Sequence, residues 1–287
     1  GSPNSDAREL LNELSEAREH GLNPEHYVSD SLLIQFDDTY AYNQEIDVLE
    51  LIELDVELST AFIKYSYALH YGQVEESELG EQWIPSKKHV DLAPYLAVKG
   101  FKEAIRMIAP KNRAYRSLQK KLNSYLALKD EGGWNNIPDS MRVTIGESNE
   151  AIYLLRDRLY YSGDYNKGIG NASRGFVFDN DLKSGIVNFQ KRHGLKPSGL
   201  LNKETIDAMN VPIEKRIDQI KINLERMKWI DEAGTDKSVV VNIPDFTLTL
   251  LKREKEIRSF KVIVGKSSSK TPVLSDHIEF ITFSPSW

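Results

Sequence analysis

Residues 179–195 read DNDLKSGIVNFQKRHGL, and this stretch decides how the middle of the chain folds. Apolar side chains recur every three or four residues, at Leu182, Ile186 and Phe189, which predicts one buried helical face. The acidic residues at the start favour a helix N-terminus, and Gly194 is expected to end the helix. The sequence therefore predicts a short amphipathic helix between the acidic residues and that glycine.

One further helix is predicted on each side of this stretch. Before it, the apolar residues between Ile152 and Leu159 share one helical face, and Gly163 is expected to end that helix. After it, Asn202 is a suitable N-cap for a short third helix. The segment from about 144 to 210 is therefore expected to form a three-helix unit.

After this unit the sequence predicts one more helix and then a series of strands. Apolar residues first recur at spacings of four, three, four and three in one seam, namely Ile213, Ile217, Ile220, Leu224 and Met227. This seam predicts a helix over about 213–230 that packs along one side. Alternating residues then predict β-strands at about 238–243, 246–252, 256–264 and 277–283.

Residues 6 to about 140 have the periodicity of helices. The longest pattern runs from about Gln44 to Tyr71 and is closed by Gly72. Another helix is marked by the apolar residues between Tyr115 and Tyr125. Helices first and strands last predict a multidomain α+β fold.

Composition excludes several classes of function. The chain of 287 residues carries a net charge of −6, which disfavours binding to nucleic acid, and no apolar run approaches a membrane span of ~20 residues. None of the residues is Cys, which excludes disulfides, thiolate zinc sites and a thiol nucleophile within this chain. The six His residues are scattered without i,i+4 pairing beside carboxylates, so neither a metal nor a cofactor is expected.

Three stretches, taken in order, resemble parts of one enzyme family. The Phe-Gln-x-x-His-Gly-Leu string at 189–195, within residues 150–210, resembles a three-helix peptidoglycan-binding module. Upstream, Leu54–Phe62 and Gly132-Gly133-Trp134 resemble the scaffold domain of the large periplasmic L,D-transpeptidases. The strands after residue 237 resemble the opening of the catalytic domain of the same enzymes. The matches follow the order of that family and together cover nearly the whole chain.

Gly1-Ser2 indicates a tail left by recombinant expression (1–4). The resemblance implies four further segments, namely a helical scaffold domain (5–143), a three-helix peptidoglycan-binding domain (144–211), a linking helix (212–236) and the first strands of a catalytic domain (237–287). The partial β-sheet of this last segment is expected to be truncated, because the nucleophilic Cys of these enzymes lies beyond the stretch seen here. Its final strand is expected to leave an unpaired edge or to pair with another chain, with disorder or an intermolecular contact over about 265–287.

The same resemblance implies a function in the bacterial cell wall. The parent protein would be a periplasmic or cell-envelope L,D-transpeptidase whose Cys thiolate attacks a donor stem peptide, releases D-Ala and passes the acyl group to an acceptor amine. An export signal is expected to have been removed, no catalytic residue is assigned here, and the chain by itself should be inactive. Its partner would be peptidoglycan. The alternative, from another class, is a non-catalytic peptidoglycan-binding or cell-envelope scaffolding protein.

Two loops hold the candidate contact residues. The polar loop at 163–175 contributes hydroxyl, amide and guanidinium groups suited to a glycan or a stem-peptide carboxylate: Tyr165, Asn166, Asn171, Ser173 and Arg174. A solvated loop without a ligand is the alternative there. The loop near 265–272 contributes substrate-side candidates by resemblance, namely Lys266, Thr271 and Pro272, and a hairpin connection without a ligand is the alternative. His193 is expected to hydrogen-bond the last carbonyls of its helix.

Overall fold

Helices and one small sheet make up the part of the chain that the structure describes. The structure is a computed structural model, and it describes residues 5–40, 47–74, 90–98, 100–165, 176–229 and 236–283. Within these residues nine α-helices precede a three-stranded antiparallel sheet, so the predicted α+β fold class is confirmed. None of the described helices has the length and apolar character needed to cross a bilayer.

The elements follow one another in chain order. The helices are α1 (Ser5–Ser15), α2 (Asp30–Thr39), α3 (Val48–Tyr71), α4 (Phe101–Ile108), α5 (Arg113–Asp130), α6 (Ala151–Ser162), α7 (Asn180–Arg192), α8 (Lys203–Met209) and α9 (Ile213–Lys228). Short 3₁₀ helices lie at Ala17–His20, Pro24–His26 and Ala93–Ala97. The strands are β1 (Lys237–Asn242), β2 (Thr247–Lys252) and β3 (Lys255–Lys261).

Two compact units are present, one formed by residues 1–122 with 220–287 and the other by 123–219. In the first unit, α1, α2, α3 and α4 pack around a shared core. Phe62 and Leu69 of α3 and Leu14 of α1 are completely buried in it. The start of α3 is fixed locally, because the side chain of its N-cap residue accepts a hydrogen bond from a backbone N–H of the first turn.

The second unit has its own core, built mainly from α6, α7 and α8. Apolar side chains from all three helices are completely buried in one cluster, including Ile152, Leu159, Ile186, Phe189 and Met209. The predicted caps set the ends of these helices. Gly163 ends α6 in the left-handed conformation. The Asn202 side chain caps α8.

The apolar seam of α9 is buried as the spacing predicts. Ile213, Ile217, Ile220 and Leu224 are buried, and Met227 is half-buried. The helix ends at Lys228, and residue 230, where the prediction ended it, lies outside the described residues. Similarly, α3 begins at Val48 in the structure, whereas residues 44–46 of its predicted start lie outside the described part.

The sheet has three strands in the order β1-β2-β3, with a bulge between Leu250 and Leu251. Three predicted strands are confirmed within three residues of their predicted ends. The fourth, at 277–283, was wrong, because this described segment forms no strand. Ile278 and Phe280 alternate as a strand requires, but no neighbouring backbone in the described residues pairs with them, and a strand exists only where its N–H and C=O groups are paired. An intermolecular contact over 265–287 stays a prediction, as do the domain boundaries at 143/144, 211/212 and 236/237.

Candidate functional site

Most of the motif residues identified in the sequence lie in the second unit, and hydrogen bonds made by α7 hold several of them in place. Asp179 caps the helix by accepting a hydrogen bond from the Leu182 backbone N–H at 2.8 Å. At the other end, Nδ1 of His193 lies 2.8 Å from the Phe189 carbonyl oxygen. The His193 ring also stacks on the Phe189 ring, with centroids 3.9 Å apart. The predicted bond from His193 to a last-turn carbonyl is therefore confirmed.

Gln190, the second residue of the Phe-Gln pair in the sequence motif, has a structural role. Gln190 is completely buried, yet its amide is satisfied on both sides. Its nitrogen donates to the Leu200 carbonyl at 2.9 Å and to the Thr205 hydroxyl at 3.0 Å. Its oxygen accepts from the Gly199 N–H at 2.9 Å. One side chain thereby ties α7 to the loop that leads into α8.

An ion pair holds the chain just after α6. Arg192 donates to both carboxylate oxygens of Asp164, through Nε at 3.0 Å and Nη2 at 2.6 Å. The Ser162 hydroxyl donates to the same carboxylate at 2.6 Å. Burial lowers the pKa of Arg192, but the hydrogen bond and charge of Asp164 outweigh that effect and raise it. A bidentate pair of this kind fixes geometry as well as charge.

Tyr165, predicted as an exposed contact residue, is instead part of the core. It is 6 % exposed, and the Arg156 guanidinium donates to its hydroxyl and lies over its ring, with Cζ 5.0 Å from the centroid. Arg156 also donates to the Val177 carbonyl at 2.8 Å. The tyrosine was expected at the surface because it falls in a polar loop, but Arg156 provides a buried partner for its hydroxyl. Its role as a ligand contact stays a prediction.

The other loop candidates divide into two groups. Asn166, Asn171, Ser173 and Arg174 lie outside the residues that the structure describes. The second group, near 265–272, lies in the part of the chain that the structure describes.

Lys266, Thr271 and Pro272 lie in or beside a tight turn after β3. The Lys266 carbonyl accepts from the Ser269 N–H at 2.9 Å, and the Thr271 hydroxyl accepts from the Gly265 N–H at 2.7 Å. A Cβ at Gly265 would collide with the Ser269 carbonyl oxygen, so the turn requires glycine there. The structure thus brings these candidates together in one hairpin-like turn, and their substrate-side role stays a prediction.

A buried cation that the sequence interpretation left without a role lies at the centre of the second unit. Arg158 is 2 % exposed, and its Cζ lies 3.9 Å from the centroid of the Trp134 ring. Its Nε donates to the Met209 carbonyl at 2.8 Å. Burial lowers the pKa of Arg158 to about 10. Helical spacing could have found it, because Arg158 follows Leu155 by three residues and so falls on the buried face of α6.

Three more basic side chains contact Phe189 or the end of α8, as this cation does. The guanidinium of Arg192 lies 5.5 Å from the Phe189 centroid, and Arg158 lies 5.7 Å from the same ring. Arg216 donates to the Ala208 carbonyl at 2.9 Å. Burial lowers the pKa of His193, and the charges of Arg192 and Arg216 lower it further. We call Arg158, Arg192, His193 and Arg216 the basic cluster.

Among the described residues, no group of three or more His, Cys, Asp or Glu side chains is placed to hold a metal ion. The basic cluster is instead suited to an anion, because guanidinium groups offer several N–H donors in a fixed plane.

Comparison with known families gives two matches on different parts of the chain. Residues 1–122 match the family described as "Scaffold domain". Residues 148–209 match the family described as "Putative peptidoglycan binding domain", and this range contains α6, α7 and α8. No individual curated protein matches the sequence. The two matches are consistent with the architecture of an L,D-transpeptidase, and the second supports association with the cell wall.

Proposed function

We propose that the chain is the scaffold and peptidoglycan-binding portion of a cell-wall L,D-transpeptidase located in the periplasm or cell envelope of a bacterium. The observation that carries the binding part of the proposal is the match at 148–209, whose three helices share one closed core. The order of the scaffold and binding matches supports the link to the enzyme family. Residues 237–287 would then be the first strands of the catalytic domain.

The contribution of this chain to the reaction would be to bind and orient the wall. Cross-linking by these enzymes proceeds through a Cys thiolate, and none of the 287 residues is Cys. The residues present therefore act before the acyl transfer, by bringing peptidoglycan to the enzyme. Incubation with a carbapenem should leave the intact mass of the chain unchanged, and a stoichiometric adduct would contradict this division of labour.

A non-catalytic wall-binding or scaffolding protein is the second candidate, and the scaffold and peptidoglycan-binding matches support it equally well. The two candidates share the binding step and differ in the coding sequence. A Cys-containing His-Gly-Cys-type motif encoded downstream of Trp287 would support the enzyme, whereas a stop codon there would support the binding protein.

The binding step can be tested by co-sedimentation of the full chain with purified sacculi. We expect a fraction of the protein to pellet, and Arg174→Ala to reduce that fraction because it removes a guanidinium suited to stem-peptide carboxylates. Arg142→Ala is the matched control, since Arg142 is an exposed arginine of the same unit. Tyr165→Ala is unsuitable as a binding variant because the side chain is buried. Protein that stays entirely in the supernatant would contradict the proposed function.

A further inference from the structure

The basic cluster concentrates positive charge in a chain whose net charge is −6. Its members gather where α7 and α8 end. His193 contacts the Phe189 carbonyl of α7, while Arg216 and Arg158 donate to the neighbouring Ala208 and Met209 carbonyls of α8. Helix carboxyl ends carry partial negative charge, which stabilises cations there. These carbonyls account for part of the charge in the cluster.

The buried member of the cluster is not fully satisfied by these carbonyls. Nη1 of Arg158 is buried and makes no hydrogen bond within the described residues. A buried polar group without a partner is costly, and a buried charge is normally paired with an opposite one. The arginine instead rests on the face of Trp134, which provides an attraction weaker than that of a carboxylate.

The nearby carboxylate of Asp164 does not neutralise the cluster. Both of its oxygens accept hydrogen bonds from Arg192, and one accepts a further bond from Ser162. The Asp164 carboxylate is therefore already engaged by Arg192 and Ser162, and Arg216 donates instead to the Gln219 side-chain oxygen at 3.0 Å and to the Ala208 carbonyl. The pKa of Arg216 is lowered, first by burial and also by the charge of Arg192, as expected for like charges held near each other.

We propose that the basic cluster is a subsite for a carboxylate of the peptidoglycan stem peptide. Arg192 and Arg216 are half-exposed or exposed, so they are the groups that contact the ligand. Arg158 lies beneath them as a positioning residue that adds positive charge and holds Trp134. A charged guanidinium group bonds a carboxylate more strongly than it bonds glycan hydroxyls, which favours the peptide over the sugar as the ligand at this point. This inference rests on the proposed wall binding and specifies its chemistry.

The test compares three soluble probes on the full 287-residue chain. They are a disaccharide-tetrapeptide muropeptide, the same muropeptide with its carboxylates amidated, and the disaccharide without peptide. Affinity is measured by calorimetry, and backbone amide shifts by NMR. We expect the free-carboxylate muropeptide to bind at least about tenfold more tightly than either other probe, as is typical when a charge-assisted hydrogen bond is lost. Its affinity should also fall as ionic strength rises.

Variants then assign this preference to the cluster. Arg216→Gln keeps a polar side chain with an N–H donor but removes the charge, and should weaken binding of the free-carboxylate muropeptide about tenfold. Lys203→Gln changes the net charge by the same amount at an exposed site on α8 and should change the affinity less than about twofold. Matching circular dichroism and melting curves would show that both variants are folded.

The outcomes separate the subsite from the proposed function. Equal affinity for the free and amidated muropeptides, or equal effects of the two variants, would overturn the subsite even if the protein still sediments with sacculi. The comparison of the free and amidated muropeptides uses the unaltered chain, so its result does not depend on whether a variant folds. Absence of any sedimentation with sacculi would overturn the proposed function and the subsite together.

Discussion

The guanidinium carbon of Arg158 lies 3.9 Å from the centre of the Trp134 ring, and the indole N–H of Trp134 donates to the Val211 carbonyl at 3.2 Å. The pair therefore connects α6 to two segments that are distant in sequence, one after α5 and the other just before α9. Tyr125 of α5 packs edge-on against the same indole, with centroids 5.4 Å apart. Two aromatic side chains and one backbone carbonyl, from three segments, are thus held together beside one buried cation.

This arrangement predicts that Arg158→Lys destabilises the protein by about 2–4 kcal/mol, although the charge is conserved. Lysine would lose the Nε bond to Met209 and the planar stack on Trp134, and would bury a more strongly hydrated ammonium. Urea denaturation followed by circular dichroism measures the change. Arg142→Lys, at an exposed site, should shift the midpoint little. Similar midpoints for the two variants would show that the stack contributes no stability.

Replacement of Gln190 by Leu should cost about 2–4 kcal/mol, because the buried N–H of Gly199 and the carbonyl of Leu200 would lose their partner. Leucine is of comparable size, so the loss would report hydrogen bonding more than packing. Lys191→Leu, at the neighbouring exposed position, serves as the control. A Gln190→Leu protein as stable as that control would mean that the loop before α8 is held by other contacts.

Leu224→Ala should lower the free energy of unfolding by about 2–5 kcal/mol, as expected for a leucine that leaves a cavity. Leu224 is 0 % exposed, and its Cδ1 would lie 3.5 Å from a Cβ at Gly21, so it packs against the turn after the first 3₁₀ helix. Ile222→Ala removes an apolar side chain that is 51 % exposed on the same helix and should change the stability far less. Thermal or urea unfolding distinguishes the two, and an unchanged midpoint for Leu224→Ala would place the seam in solvent.

The stability of the first unit should depend on pH through His20. Burial, and to a lesser extent the charge of Lys228, lower the pKa of His20 from 6.5 to about 4. The ring nitrogens lie 3.1 Å from the Tyr115 hydroxyl and 3.1 Å from the Gln119 amide, contacts that suit a neutral imidazole. The folded state therefore holds His20 neutral where the unfolded chain is protonated.

Proton linkage gives the direction in which the free energy of unfolding changes with pH. The stabilisation by neutral His20 is complete above pH 6.5 and is lost as the pH falls towards 4, because the unfolded state binds the proton first. The loss amounts to at most about 3 kcal/mol. His20→Gln should flatten the dependence of unfolding free energy on pH in this window, whereas His277→Gln, at an exposed site after the sheet, should leave it unchanged. Parallel curves for His20→Gln and the parent chain would contradict the prediction.

Local sequence patterns predicted the helices of the second unit well, and the reason is physical. The Asn202 side chain accepts from the Thr205 N–H at 3.0 Å, and Gly163 adopts the left-handed conformation that ends α6. Both interactions involve residues within a few positions of one another. The seam of α9 was equally predictable, since its apolar spacing repeats over four turns and a stripe of that length must be buried.

The candidate site was predicted only in part. The 189–195 string identified the three-helix unit, but it did not indicate that Gln190 bonds across to Gly199 or that His193 stacks on Phe189. Tyr165 was expected at the surface and is buried, because its hydroxyl finds Arg156 nine positions earlier. Four of the loop candidates lie outside the described residues, so their role stays a prediction.

The sequence by itself determined where helices begin and end, which faces are apolar, and that no residue of this chain can serve as a thiol nucleophile. The tertiary structure alone decided that Arg158 lies on Trp134, that basic groups gather at the ends of α7 and α8, and that residues 277–283 form no strand. What the sequence alone can predict depends on how far apart the interacting residues lie along the chain. Caps and periodicity depend on neighbours within one or two turns, whereas a stacked cation or a paired strand requires partners that only the folded chain brings together.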